Sequence, residues 1–278
     1  MISLDHAGLA GPDLVGLHAR YKALGFTLTP LARQSGRLVA GGPVVPWGTA
    51  NRCAMLRDGY IELLGIVDAA APANGLDGFL ARYAGLHILA LRIEDEEAAL
   101  ARLRRAGLDV PGMMHLVRPV DSAEPEGLQA RFARLPLPDA PEGRIQLIRH
   151  LTPEAIWQER FMGHANQAVA LEGVILAAPD PADTAARFSR LAGRPVVPDP
   201  AGGFLLRLDR GEVRVLEPGA LAAVLPGVAA PALPFMAGMV VRTADGAETA
   251  RRMAPLVAVP GGWMATPDQA GGAALVFC

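Results

Sequence analysis

The sequence lacks several features that would set it apart from ordinary globular proteins. It has only two cysteines, Cys53 and Cys278, and two cysteines do not make a disulfide framework. Its formal net charge is −2 and no basic tract is present, so we do not expect a nucleic acid as a partner. The first residues contain no basic segment followed by an apolar run, as a secretion signal would.

Long hydrophobic runs are absent as well, because no stretch approaches the roughly 20 uninterrupted apolar residues that a membrane-spanning helix needs. Together these absences predict a cytoplasmic globular protein that acts on neither a membrane nor a nucleic acid. Hydrophobic residues make up 51% of the chain, which is enough for a substantial core and argues against disorder. A chain of 278 residues can form one large domain or two of ordinary size.

An internal repeat is the most informative feature that is present. The stretch SLDHAGLAGPD begins at Ser3, and ALEGVILAAPD, which begins at Ala170, is closely similar. In the first copy an alternating, strand-like run leads to Pro12, Asp13 and a helical pattern that ends at Gly25. Three further strand-like runs follow, so the predicted unit is a strand, a helix and three strands.

The same unit is predicted four times along the chain. The second copy begins with LHILALRI, continues through the helix EDEEAALARLRRAG and ends with RIQLIRHL. The third and fourth copies have shorter hairpins and are separated by the turn-rich PGVAAPALP. We therefore predict an α+β fold of four βαβββ modules, arranged as two paired-module halves with curved mixed sheets around a cleft. The predicted boundaries are 1–150 for the first half, 151–169 for a connector and 170–278 for a degenerate second half.

Four βαβββ modules with a histidine on the first strand resemble the vicinal oxygen chelate superfamily, which includes glyoxalase I, extradiol dioxygenases and bleomycin-resistance proteins. The connector RIQLIRHLTPEAIWQERFMGHANQA is similar to the signature of the glyoxalase-like domain family. That signature combines a His-x-Thr-Pro-Glu stretch, a tryptophan and a His-x-Asn element, which here are His150, Thr152, Pro153, Glu154, Trp157, His164 and Asn166. We expect the last three of these residues to fix the connector between the halves, and a direct catalytic role is the alternative.

The resemblance implies a metal site built from the first and last strands of two paired modules. In the first half these positions are His6, Glu62, His87 and Gln146. Alternation along a strand allows each side chain to point to the concave face. Two imidazoles and a carboxylate suit a divalent metal such as Zn, Fe, Ni or Mn, with positions left open for an oxygen substrate. The alternative is that the histidines are hydrogen-bonded core residues and that Glu62 pairs with an arginine.

Gln146 departs from the superfamily pattern, in which this position is commonly a glutamate. An amide oxygen can coordinate a hard metal but cannot take up a proton at neutral pH, so Glu62 is the remaining candidate for a catalytic carboxylate base. The aligned positions of the second half have no metal-binding chemistry and are Gly173, Arg214, Ala237 and Leu275. The second half is therefore predicted to be a scaffold.

Four further residues are candidates for substrate contacts. Trp47 lies in the predicted long hairpin GGPVVPWGTANR, which is expected to form a lid or a cleft wall, although this stretch fits an ordinary irregular loop equally well. His115 is placed on the cleft face or, alternatively, at its rim. Arg144 shares strand parity with Gln146 and His150, so Arg144 is expected to bind a substrate carboxylate and His150 to lie beside it. A solvent-exposed arginine is the alternative for Arg144.

Two functions of different classes remain open from the sequence. The leading hypothesis is a metal-dependent lyase, isomerase or dioxygenase that acts on a small oxygen-rich molecule. The alternative is a small-molecule-binding protein without catalysis, like the drug-sequestering members of the superfamily. A third possibility is a protein that kept the fold and lost its site, which Gln146 would explain. A homodimer is compatible with a sheet protein of this kind.

Overall fold

The computed structural model describes residues 1–37, 42–121, 128–137, 140–253 and 255–278. The strands of the predicted first half are β1 (Ile2–Gly11), β2 (Ala32–Arg37), β3 (Val44–Met55), β4 (Tyr60–Ile66), β5 (Gly85–Ile93), β6 (Met114–Val120), β7 (Leu128–Pro136) and β8 (Arg144–His150). Its helices are α1 (Leu14–Ala23), α2 (Leu76–Arg82) and α3 (Glu96–Arg105). The connector contains α4 (Pro153–Ile156) and a 3₁₀ turn, Glu159–Phe161.

The predicted second half has shorter strands. They are β9 (Ala168–Ala177), β10 (Val196–Pro198), β11 (Gly203–Arg207), β12 (Glu212–Leu216), β13 (Phe235–Thr243), β14 (Val257–Val259), β15 (Gly262–Ala265) and β16 (Ala274–Phe277). The helices are α5 (Pro181–Ala192), α6 (Leu221–Val224), α7 (Gly246–Arg252) and α8 (Pro267–Ala270), with a 3₁₀ turn at Pro218–Ala220.

An aspartate caps the helix that follows the first strand of each unit. Asp13, Asp95, Asp180 and Asp245 each accept a hydrogen bond from a backbone N–H of the first helical turn. Such a cap satisfies a donor that the helix itself leaves unpaired and stabilises the helix by about 1 kcal/mol. The same side chain therefore starts α1, α3, α5 and α7, which explains why the strand-to-helix turns look alike in the sequence.

The two halves have the same strand pairing. In the first half β1 runs parallel to β4 and antiparallel to β5, and β5 runs parallel to β8. In the second half β9 runs parallel to β12 and antiparallel to β13, and β13 runs parallel to β16. The halves join where β13 meets β5, at the pair Met236 and Leu86. The prediction of an α+β fold with curved mixed sheets and βαβββ units is confirmed.

Of the four apolar clusters in the described part of the chain, the largest fills the space between the sheets and the helices. Alternate strand residues such as Leu9, Leu63 and Leu89 pack against Tyr21 of α1, and the same cluster continues to Phe188 of α5. Each large apolar side chain buried in this way contributes about 1.5–3 kcal/mol. Since the core crosses the predicted boundary, the division into two halves and a connector stays a prediction. Among the described residues, no helix has the length and apolar character needed to cross a membrane.

The pairing register aligns the two halves directly. His6 lies opposite Tyr60 of β4, and Gly173 takes the same place opposite Glu212 of β12. This agrees with the sequence alignment of His6 with Gly173.

The last strand requires a correction to that alignment. Gln146 pairs with Ala90 of β5, and the residue in the corresponding place of β16 is Val276, which pairs with Val240. The sequence prediction chose Leu275, which is one residue earlier and therefore points to the other face of the sheet. Both residues are apolar, so the second half has no polar counterpart of Gln146.

Candidate functional site

The candidate site lies on the inner face, by which we mean the face of β1, β4, β5 and β8 that is turned away from α1 and α3. It is defined by His6, Tyr60, Glu62, Arg144 and Gln146. Their neighbours along each strand, such as the fully buried leucines of β1, β4 and β8, belong to the helix-packed core. Strand alternation therefore places all five side chains on one side of the sheet.

His6 and Gln146 meet at the centre of the inner face. The strand β5 separates them, and its residue between them is Ala90, which pairs with both. Because Ala90 has only a methyl group, the His6 Nε2 and Gln146 Nε2 atoms approach to 3.4 Å across it. The Gln146 Oε1 atom is buried and has no hydrogen-bond partner in the described part of the chain.

Asp5 orients His6, and the sequence prediction missed it. The pairing of β1 with β5 is irregular between Leu4 and His6, which brings the Asp5 side chain to the same side as His6. Asp5 is fully buried, and the His6 Nδ1 atom lies 2.7 Å from its Oδ1 atom. Two further groups bond its Oδ2 atom, the His150 Nε2 at 3.0 Å and the Arg92 Nε at 2.9 Å.

These partners determine the ionisation of Asp5. Burial alone would raise the pKa of Asp5, but the charge and hydrogen bond of His150 and the contacts with His6 hold that pKa well below its ordinary value. Asp5 is therefore a carboxylate that accepts hydrogen bonds from both imidazoles. Since His6 donates through Nδ1, its Nε2 atom keeps a lone pair that points toward Gln146. This is the tautomer that a histidine needs to accept a proton or bind a metal.

Trp157 of the connector closes this cluster. The Arg92 guanidinium lies over its ring at 4.3 Å, and the His150 ring meets it edge-on with centroids 4.8 Å apart. The indole Nε1 donates to the Leu56 carbonyl at 2.9 Å, which fixes the ring. Trp157 thus covers the residues that bond Asp5. The His150 side chain contacts Asp5 and does not point into open space.

The other two signature residues hold the connector to the first half. His164 bonds the Met55 carbonyl through Nε2 at 2.7 Å, and its Nδ1 accepts from the Thr27 N–H at 3.0 Å. Asn166 is fully buried and donates to the Leu24 carbonyl at 2.7 Å. These contacts are structural, as expected from the sequence.

Glu62 lies on the inner face but in the next row of paired residues. It sits opposite Gly8, whereas His6 lies opposite Tyr60, so Glu62 is two residues further along β4. Its Oε1 atom accepts a hydrogen bond from the Asn51 amide. Gly8 has no room for a side chain, because a Cβ atom there would come within 2.9 Å of the Ile88 Cβ atom. Glu62 makes no ion pair within the described residues.

His87 does not join His6. The pairing of β5 skips His87 between Leu86 and Ile88, and the ring turns into a stack between Phe79 and Tyr83, with centroids 4.9 and 4.0 Å away. The Nε2 atom bonds the Tyr83 carbonyl at 2.8 Å. Burial lowers the pKa of His87 to about 4, so the ring is neutral at pH 7. The β-bulge thus corrects the expectation that His87 points toward a shared ligand site.

The four predicted metal ligands do not converge. Only His6 and Gln146 lie together, while Glu62 is bonded to Asn51 and His87 is enclosed by aromatic rings. In the part of the chain that the structure describes, no group of three or more His, Cys, Asp or Glu side chains is placed to hold a metal ion. The donor set therefore does not fit the superfamily's metal site, although His6 has the required tautomer.

The predicted substrate contacts are divided between the two faces. Trp47 packs over Gly36 of β2, at the edge of the sheet. Its Nε1 atom is buried and has no hydrogen-bond partner among the described residues. Arg144 lies on the inner face, two residues before Gln146 on β8. His115 lies on the opposite face, where its Nε2 atom contacts Glu96 of α3 at 3.0 Å. Alternate residues of β6 point to opposite faces of the sheet, and His115 belongs to the set that faces away from the inner face. This placement corrects the expectation of a cleft contact.

The repeated βαβββ units and their strand pairing are those of the vicinal oxygen chelate superfamily. The sequence profile described as the Glyoxalase-like domain matches residues 4–192, which is more than half of the chain. The chain therefore belongs to the glyoxalase-like domain family, and the predicted membership is confirmed. No curated protein matches the sequence.

Three solved structures illustrate the shared fold. A hypothetical protein from Staphylococcus aureus is 14% identical with a TM-score of 0.66, and the match covers 100% of this chain and 99% of that chain. The Mn(II)-bound glyoxalase from Novosphingobium aromaticivorans is 14% identical with a TM-score of 0.53, covering 99% and 81%. A mutant of 4-hydroxymandelate synthase from Streptomyces coelicolor is 14% identical with a TM-score of 0.53, covering 90% and 74%. At these identities the likeness shows the fold alone.

Proposed function

We propose that the protein binds a small oxygen-rich molecule on the inner face, next to His6 and Gln146, without requiring a metal. The observation that carries this proposal is the grouping of buried polar atoms that lack partners in the described chain. Of the nine such atoms among the described residues, three belong to the inner face or to the groups around Asp5, namely Gln146 Oε1, His150 Nδ1 and Arg92 Nη2. A fourth, Arg134 Nε, is on the adjoining strand β7, where Arg134 pairs with Ile148 of β8. Buried polar atoms are normally hydrogen-bonded, so a set of unpaired ones in one region is typical of a ligand site.

A metal-dependent lyase, isomerase or dioxygenase is the second candidate. Its support is the His6 tautomer, since a carboxylate on one imidazole nitrogen is the usual arrangement behind a histidine ligand. His6 Nε2 and Gln146 Oε1 would hold the metal, which would polarise substrate oxygens. The stacked His87 and the hydrogen-bonded Glu62 speak against a complete ligand set and against Glu62 as a free catalytic base. For this reason we place binding first.

The two candidates are separated by metal content and thermal stability. We would purify the wild type, His6→Ala and the control His18→Ala without chelator, and measure bound Mn, Fe, Ni and Zn. A screen of small oxygen-rich compounds would follow, by thermal shift with and without each metal, because a ligand that binds only the folded protein stabilises it by RT ln(1 + [L]/Kd).

We expect compounds to stabilise the wild type and His18→Ala in metal-free buffer, and His6→Ala to lose that effect. About one metal per chain, lost in His6→Ala, would favour the enzyme candidate. If no compound stabilises the wild type under either condition, small-molecule binding on the inner face is wrong.

A further inference from the structure

Two arginines extend the inner face beyond Gln146. Arg144 is on β8, and Arg134 is on β7, where it pairs with Ile148 of β8. Both side chains are partly buried. Neither makes an ion pair with an acidic group among the described residues.

Arg144 is held in place by neutral groups. Its Nη2 atom donates to the Asn74 carbonyl at 2.8 Å, and its guanidinium lies 5.4 Å from the centre of the Phe79 ring. Asn74 adopts a left-handed conformation with φ of 54°, which only a few residue types tolerate readily. The segment before α2 therefore orients the Arg144 guanidinium without neutralising its charge.

The hydrogen-bond donors of Arg134 are less completely paired than those of Arg144. Its Nε atom is buried without a hydrogen-bond partner in the described chain. Burial lowers the pKa of both arginines, the charge of Arg144 lowers that of Arg134 further, and Glu62 opposes both effects. The Glu62 carboxylate already accepts a hydrogen bond from Asn51. Arg134 and Arg144 therefore share a single carboxylate that also has another partner. This arrangement leaves positive charge in a partly desolvated place, which is costly unless an anion approaches.

The geometry points to a carboxylate on the ligand as the partner of Arg134 and Arg144, an inference that rests on the proposed binding of a small molecule at the inner face. A guanidinium presents planar pairs of N–H donors that match the two oxygens of a carboxylate. Arg144 and Gln146 are alternate residues of one strand, about 6.6 Å apart. A carboxylate at Arg144 would therefore place the adjoining oxygen atoms of a small molecule beside Gln146 and His6.

The test compares acids with their amides. Three pairs would be used as probes: pyruvate and pyruvamide, malonate and malonamide, and benzoate and benzamide. Affinities would be measured by NMR titration at constant ionic strength for the wild type, Arg134→Met and Arg144→Met. Arg131→Met is the matched control, because Arg131 is an exposed residue of the same strand β7 that bonds, among the residues the structure describes, only through its backbone. Thermal melts would establish that each variant is folded.

We expect the wild type to bind at least one acid more tightly than its amide. Arg134→Met and Arg144→Met should weaken that acid by at least tenfold and leave amide binding unchanged, while Arg131→Met should match the wild type. Acids and amides that bind equally well would overturn the carboxylate inference and leave the proposed function standing. If neither member of any pair binds saturably, the inference and the proposed function both fail.

Discussion

Asp5 and His6 are consecutive residues of β1, yet their side chains lie on the same side of the sheet, with His6 Nδ1 2.7 Å from Asp5 Oδ1. In a regular strand they would point to opposite faces. The irregular pairing between Leu4 and His6 removes this alternation and gives His6 a buried carboxylate partner. The same carboxylate bonds His150 and Arg92, so one acid organises the polar centre of the inner face.

Replacement of this acid should be strongly destabilising. Asp5→Asn leaves Arg92 and His150 without the carboxylate, so we expect the free energy of unfolding to fall by about 3 kcal/mol. The matched control is Glu172→Gln, because Glu172 precedes Gly173 as Asp5 precedes His6 and pairs with Arg242 at 2.7 Å. That pair is exposed, and its loss should cost less than about 1 kcal/mol. Urea unfolding at pH 7 measures both changes, and equal losses would contradict the central role of Asp5.

Acid should remove the contribution of Asp5. Its pKa in the folded protein lies below the ordinary value of 3.8, so the unfolded chain takes up the proton first as the pH falls. The stabilisation is therefore complete above about pH 4 and declines as the pH falls further. Urea titrations from pH 5 to pH 2 should show a shallower decline in Asp5→Asn than in the wild type. Parallel curves would mean that Asp5 does not carry this part of the acid sensitivity.

His87 should make the protein sensitive to milder acid. Burial lowers its pKa from 6.5 to about 4, so between these values the unfolded chain binds a proton that the folded protein excludes. Stability from this group is full above pH 6.5 and should fall by about 2 kcal/mol on going to pH 5.

The variant His87→Phe isolates this effect, since it keeps an aromatic ring between Phe79 and Tyr83 without a titrating group. The difference in unfolding free energy between pH 7 and pH 5 should be smaller in His87→Phe by about that 2 kcal/mol. His18→Ala, which changes a histidine of α1, serves as the control and should keep most of the wild-type dependence. An unchanged pH dependence in His87→Phe would refute the assignment.

Strand alternation explains how much of the site could be predicted from the sequence. It was sufficient to put His6, Glu62, Arg144 and Gln146 on one face, because the parallel pairings of β1 with β4 and of β5 with β8 are regular at those positions. The repeated units could also be located in the sequence, because the helix caps recur together with the alternating strands. His115 was misplaced because its parity on β6 could not be read from the sequence without the pairing partner.

The rest depended on features that a sequence pattern does not encode. The irregularities beside Asp5 and at His87 each change the direction of one side chain, and nothing in their composition marks them. The offset of Glu62 from His6 follows from the register of two parallel strands that are distant in the sequence. Asp5 stands directly before His6 in the sequence, but regular alternation would have assigned the Asp5 side chain to the core.

Arg134 offers a prediction in which loss of a charged residue makes the protein more stable. Its guanidinium is partly buried, lies near the like charge of Arg144, and has an Nε atom without a hydrogen-bond partner in the part of the chain that the structure describes. Arg134→Met removes the desolvated charge and keeps a flexible side chain of similar length, so the free energy of unfolding should rise by about 1 kcal/mol. Residues kept for ligand binding often carry such a cost in the free protein. Urea unfolding without ligand should show this rise in Arg134→Met and no change in Arg131→Met, whereas a destabilised Arg134→Met would show that Arg134 serves the fold rather than a ligand.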